Sequence, residues 1–150
     1  MDRFETKTLD NATAYMVYHV ARLLRHNLRG FLQENALVSI SQEQWFILMR
    51  LHEKDGRMQT ELTNKELNDR PNVTRMLDRL VKLDLVERRQ HPEDRRSFLI
   101  YLTPLGKRLI KEIFPAVIEI RQKIFAGFSP QDLDIFEDYL RKIEKNLLNI

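Results

Sequence analysis

Between Val86 and Thr103 the chain reads VERRQHPEDRRSFLIYLT, a stretch that admits few folds. Its first half alternates Val86 and Arg88 with Glu87 and Arg89, and its second alternates Phe98, Ile100 and Leu102 with Leu99 and Tyr101. A period of two puts neighbouring side chains on opposite faces of an extended backbone, and branched and aromatic residues suit such a backbone. The segment His91-Pro92-Glu93-Asp94-Arg95-Arg96 separates the two halves, with proline well placed to start a turn. The pattern predicts a β-hairpin whose tip carries Arg95 and Arg96. An arginine-rich hairpin can also be no more than a soluble edge that resists aggregation, so its meaning depends on its neighbours.

Those neighbours are helical. Val17, Val20, Ala21, Leu24, Leu28 and Phe31 form one stripe at helical spacing, which predicts a first helix from about Asn11 to Glu34, capped by Asp10 or Asn11. Ser41-Gln42-Glu43-Gln44 is a capping-box sequence followed by Trp45, Ile47, Leu48 and Leu51, which predicts a second helix from Gln42 to Glu53. A short third helix is expected from Gln59 to about Glu66. Asp69 and Pro71 suit the start of a fourth, to Leu83, with Val73, Met76, Leu77 and Leu80 inward and Asn72, Thr74, Arg75, Asp78, Arg79 and Lys82 outward. Thr103-Pro104 opens a long fifth helix, which Pro115 should kink and Gly127 closes. Ser129, Pro130 and Asp132 open a sixth, along which Leu133, Phe136, Leu140, Ile143 and Leu147 recur in heptad fashion.

Charge narrows the chemistry. The 150 residues carry 25 Lys/Arg and 22 Asp/Glu, a net charge of +3. From Arg70 to Arg96 there are eight Lys/Arg against five Asp/Glu, a difference of +3, so the fourth helix and the hairpin account for the whole excess. With no cysteine, thiolate metal sites, disulfides and thiol redox sensing are excluded. There is no phosphate-binding glycine loop and no nucleophile motif, and an enzyme is not expected. His19 and His26 share a helix face but stand about 10.5 Å apart along the axis, with Arg22 and Leu23 between, so neither a metal site nor any cofactor is expected. No run of about eighteen apolar residues occurs and the first residues do not resemble a secretory signal, so a cytoplasmic protein without a membrane partner is expected.

The expected fold is mainly α with a small β-hairpin wing. A winged helix-turn-helix unit spans residues 38–103, and helices from residues 1–37 and 104–150 flank it. The flanking stripes hold more apolar surface than the central unit can cover, and a second copy of the chain is the simplest cover. In such a unit the helix enters the major groove of double-stranded DNA and the wing touches the backbone or minor groove. The candidate DNA-binding residues are Arg70, Pro71, Asn72, Thr74, Arg75, Arg79, Arg88, Arg95 and Arg96. A winged-helix module that binds protein instead of DNA is the alternative, although such modules usually lose these basic residues. Tyr15, Tyr18, Trp45 and Met49 are candidates for lining a ligand cleft, with ordinary packing the competing reading.

Two segments carry a family resemblance. Asp94-Arg95-Arg96-Ser97-Phe98-Leu99-Ile100-Tyr101-Leu102-Thr103 is similar to the wing pattern Asp-x-Arg-x-x-x-Leu-x-Leu-Thr of MarR-family transcriptional regulators, with Ile100 for the first Leu. Asn72-Val73-Thr74-Arg75-Met76-Leu77-Asp78-Arg79-Leu80 resembles that family's recognition helix. Leu85-Val86-Glu87-Arg88 resembles its entry to the wing, with Asp84 where Gly is usual. The turn Leu67-Asn68-Asp69-Arg70-Pro71 departs from the Gly-Leu-Ser type common in helix-turn-helix proteins. The resemblance implies a homodimer on a pseudo-palindromic operator, a repressor, and release of DNA by a small aromatic or acidic effector. It also implies that Asp94 positions the wing by pairing with Arg96.

Overall fold

The computed structural model describes residues 8–9, 12–35, 39–62 and 70–150. The elements run α1 (Thr13–Asn35), α2 (Gln42–Glu53), β1 (Arg57–Met58), α3 (Gln59–Leu62), α4 (Arg70–Lys82), β2 (Val86–Gln90), β3 (Phe98–Leu102), α5 (Pro104–Ile124) and α6 (Pro130–Leu147). The proposed caps Asp10, Asn11 and Asp69, the turn 67–69 and the expected second half of α3 lie outside the described residues.

Local chemistry sets the helix starts. In α2 the Ser41 hydroxyl accepts from the Gln44 amide at 3.1 Å while the Gln44 side chain accepts from the Ser41 amide at 2.8 Å. Ser129 and Asp132 do the same for α6, with Pro130 in its first turn. Such a cap is worth about 1 kcal/mol. Thr103 caps α5, accepting from Gly106 and donating its hydroxyl to the Asp84 carbonyl. The fifth helix runs unbroken through Pro115 to Ile124.

The sheet holds one strand more than the hairpin. β2 and β3 pair antiparallel, Val86 opposite Leu102 and Gln90 opposite Phe98. β1 adds to the other edge of β3, Arg57 opposite Ile100 and Met58 opposite Leu99, giving the order β1-β3-β2. Two residues are too short to show a period of two, which is why β1 is absent from the sequence reading. Asp55 locks this edge, its Oδ1 accepting from the Leu102 amide at 2.9 Å.

The helix-to-wing turn is a Schellman motif. The Leu85 amide donates to the Leu80 carbonyl and the Asp84 amide to that of Val81. Asp84 has φ 56°, the left-handed conformation that Gly would take most easily. Leu80 and Leu85 are fully buried on either side of the turn. α5 packs close behind it: a Cβ on Gly106 would lie 2.1 Å from the Leu85 carbonyl oxygen.

The core gathers Trp45, Leu48 and Leu51 of α2, Val73, Leu77 and Leu80 of α4, and Val86, Ile100 and Leu102 of the sheet. Leu32 of α1 and Leu109, Ile110 and Ile113 of α5 complete it. The first turns of α1 and the whole of α6 lie outside this core. No residue of α6 is buried, and its seam residues Phe136, Leu140 and Ile143 are 44, 38 and 37% exposed.

Candidate nucleic-acid interface

α4 buries Val73, Leu77 and Leu80, and the other side of the helix is left to solvent. Pro71, Asn72, Thr74, Arg75, Asp78, Arg79 and Lys82 are all exposed. The side chain of Arg70 lies outside the described residues. Thr74 is anchored from α3, its hydroxyl accepting from the Gln59 side-chain amide at 2.6 Å. Gln59 thus joins the site, a role that no pattern in the sequence marks.

Two of the acids among these arginines have basic partners. Asp78 of α4 holds the Arg88 guanidinium of β2 at 2.7 Å, a strut from the exposed helix to the wing. Glu87 pairs with Arg89, whose guanidinium lies 4.3 Å from the centre of the Tyr101 ring. Arg88, expected to face DNA, therefore has a partner inside the protein. Among the described residues Arg75, Arg79, Lys82, Arg95 and Arg96 have no carboxylate within ion-pair distance, and Arg79 donates only to the Ser39 carbonyl, at 3.3 Å. Pairing offsets Asp78 and Glu87, and leaves a cationic helix face and, at the hairpin tip, two exposed arginines beside Glu93 and Asp94.

At the tip, Asp94 acts on the backbone and not on a guanidinium. Its Oδ1 accepts from the Arg96 amide at 2.9 Å and its Oδ2 from the Ser97 hydroxyl at 2.6 Å. The expected pairing with the Arg96 side chain is replaced by an Asx turn, because a short carboxylate two residues away reaches an amide before it reaches the end of an arginine. The Ser97 bond, and then the Arg96 amide, hold the Asp94 carboxyl below its ordinary 3.8, with a smaller contribution from His91. The Ser97 amide donates to the Asp94 carbonyl and the His91 amide to the Ser97 carbonyl, closing the turn beneath both arginines.

The four suggested ligand residues do not converge. Trp45 is only 2% exposed, and Met49 packs against the core beside it. Tyr15 stacks on His19 at 5.9 Å, and Tyr18 lies on the exposed face of α1 with Arg22 against its ring. At the junction of α2 and α5, a different cavity of about 580 Å³ is lined by Leu51, His52, Ile110, Phe114, Lys107 and Lys111 among others. Its residues come from α2, the segment after it, β3 and α5, which are far apart in sequence, so no local motif could reveal it.

A helix with an exposed cationic face, braced against a hairpin whose tip exposes two arginines, defines a winged helix-turn-helix protein. Similarity to known proteins narrows the class. The MarR family model matches residues 40–98. The chain is 31% identical over 129 residues to the HTH-type transcriptional regulator YsmB of Bacillus subtilis strain 168, covering 86% of each chain. Its structure is similar to a MarR protein from Peptoclostridium difficile, with a TM-score of 0.79 at 21% identity, covering 99% of this chain and 95% of that one. It is also similar to BpsR of Bordetella bronchiseptica, whose DNA binding is regulated by 6-hydroxynicotinic acid, with a TM-score of 0.67 at 25% identity over 86% of this chain and 98% of that one. The chain belongs to the MarR family of DNA-binding transcriptional regulators, and it is not an enzyme. No helix among the described residues is long and apolar enough to cross a membrane.

Proposed function

We propose that this regulator is a sequence-specific repressor that binds a pseudo-palindromic operator as a homodimer and releases it when a small aromatic or acidic effector binds. The observation that carries the reading is the set of unpaired guanidiniums of Arg75, Arg79, Arg95 and Arg96 on one helix face and one hairpin tip. Asn72, Thr74 and Arg75 at the start of α4 read base edges, where small polar residues and Pro71 allow close approach. Arg79, Arg95 and Arg96 contact phosphates, and Arg88 holds the wing.

Dimerisation by residues 1–37 and 104–150 is supported by the uncovered apolar faces of α1 and α6, while residues 38–103 form the DNA-binding lobe. Effector relief is supported by the similarity to BpsR and by the α2–α5 cavity. Leu51, Ile110 and Phe114 offer that cavity apolar surface, and Lys111 offers charge for a carboxylate, while Lys107 is shared with Asp55 of the lining at 3.8 Å.

The test combines light scattering with titration of random-sequence and selected duplex DNA at several salt concentrations. A dimer that prefers the selected duplex, with binding that weakens steeply with salt, is expected. A monomer with no salt-dependent DNA binding would overturn the reading. A panel of aromatic carboxylates should raise the melting temperature and reduce DNA binding, and Phe114→Ala should abolish both effects.

A further inference from the structure

A second cleft, of about 550 Å³, opens between α1, the start of α2 and α4. Arg25 and Arg29 of α1 face Arg75 and Arg79 of α4 across it, and among the described residues Glu43 is its only lining carboxylate. Among the described residues none of these four arginines lies within ion-pair distance of a carboxylate. The first turn of α2 forms part of the wall and adds the positive end of its dipole. Four like charges gathered around open space, with no carboxylate of the described residues close enough to pair with them, call for an external anion.

The lining also indicates which anion. Among the described residues Ile40 and Met76 are its only large apolar ones, and none is aromatic. A small aromatic acid would bury little apolar surface there, whereas small-molecule sites are mostly apolar. Two of the four arginines lie on the exposed face of α4, beside Asn72. We infer that Arg25 and Arg29 bind phosphodiesters of the DNA backbone, continuing from Arg75 and Arg79 onto α1 on the side of α4 away from the wing. This inference rests on the DNA-binding reading of α4. It makes a helix assigned to dimerisation touch DNA directly, and it lengthens the footprint of each lobe.

The test is Arg25→Gln/Arg29→Gln in the full chain. Both side chains are exposed, so the fold should persist. Each single substitution is prepared as well, in case the pair unfolds. Wild type, these variants and Arg96→Ala are titrated with random-sequence duplex DNA over a range of salt. Removing one arginine–phosphate interaction should flatten the slope of log K against log salt by about 0.9, so the double variant should lose about 1–2 in slope and each single variant up to about 1. Arg25→Lys/Arg29→Lys should retain the wild-type slope, since lysine also serves phosphate as a point charge.

If the double variant, or both single variants, keeps the wild-type slope while Arg96→Ala flattens it, the inference falls and the DNA-binding reading stands. If wild type binds no duplex, the underlying reading falls. Inorganic phosphate alone, followed by melting temperature, separates a small-anion site. Stabilisation of wild type but not of the double variant, with equal DNA slopes, would overturn the phosphodiester assignment.

Discussion

The Asp78–Arg88 strut predicts that removing either partner costs discrimination between DNA sequences as well as a little stability. The pair closes at 2.7 Å, with side chains 51% and 30% exposed. Solvent and salt screen such a pair to about 0.2–1 kcal/mol, so Asp78→Asn should lower the unfolding free energy by no more than about 1 kcal/mol. Binding should respond differently on different DNA. Asp78→Asn removes a negative charge beside phosphate and frees Arg88, so affinity for random duplex should rise and its salt slope should steepen by about 1. The wing, no longer tied to α4, loses its fixed angle to the reading helix. If the whole of the pair's energy serves that alignment, the ratio of selected to random affinity should fall by up to about fivefold, the equivalent of 1 kcal/mol. Arg88→Gln should lower the ratio by a similar factor without the gain on random DNA. The assay is competition of a duplex selected from a random library against random duplex. In a double-mutant cycle, the double variant should lose no more discrimination than either single variant. Additive losses, with coupling below about 0.3 kcal/mol, would refute the strut, as would an unchanged ratio in both single variants.

Three further outcomes follow from the geometry. Gly106→Ala gains about 1 kcal/mol of helix propensity, but its methyl group meets the Leu85 carbonyl, and overpacking of up to about 3 kcal/mol should win; an unchanged or raised urea midpoint would contradict this. Asp84→Gly relieves a left-handed residue and should raise stability by about 1 kcal/mol, read in the same unfolding experiment; a loss of stability would show that the Asp84 side chain contributes more than its conformation costs. Asp94→Ala opens the wing tip and should weaken binding to all duplexes although it removes a negative charge, so tighter binding by a normally folded variant would reduce Asp94 to a bystander. The depressed pKa of Asp94 also sets a pH window: its bonds are intact above the ordinary value of 3.8 and are lost as pH falls through the lower folded value, so the Arg96 amide resonance, which reports the bond to Asp94, should shift in that acid range.

Legibility in the sequence follows locality. The capping boxes at Ser41 and Ser129, the buried stripe of α4 and the alternation of the two hairpin strands depend on residues a few positions apart, and these can be read directly. β1 cannot, since two residues gain their identity only by lying beside β3. The Asp78–Arg88 pair links an exposed helix position to a strand ten residues on, and nothing in either segment alone announces it. Arg25 and Arg29 read as the solvated side of an apolar-striped helix; the fold is what sets them opposite Arg75 and Arg79. Trp45 misleads in the other direction, because an aromatic residue near a helix start looks the same in sequence whether it lines a cleft or fills a core. At Asp94 the spacing marks the turn but not the partner, since it does not distinguish an amide from a guanidinium.

The central claim is that a pair of these chains presents two α4 helices to one face of duplex DNA, with the wings beside them. Chemical footprinting of a selected duplex at base-pair resolution tests it most directly. The account predicts two protected major-groove segments one helical turn apart, about 34 Å, with protection extending into the adjoining minor grooves and absent there in Arg96→Ala. A single protected segment, or protection confined to the minor groove and indifferent to Arg75→Ala, would contradict it.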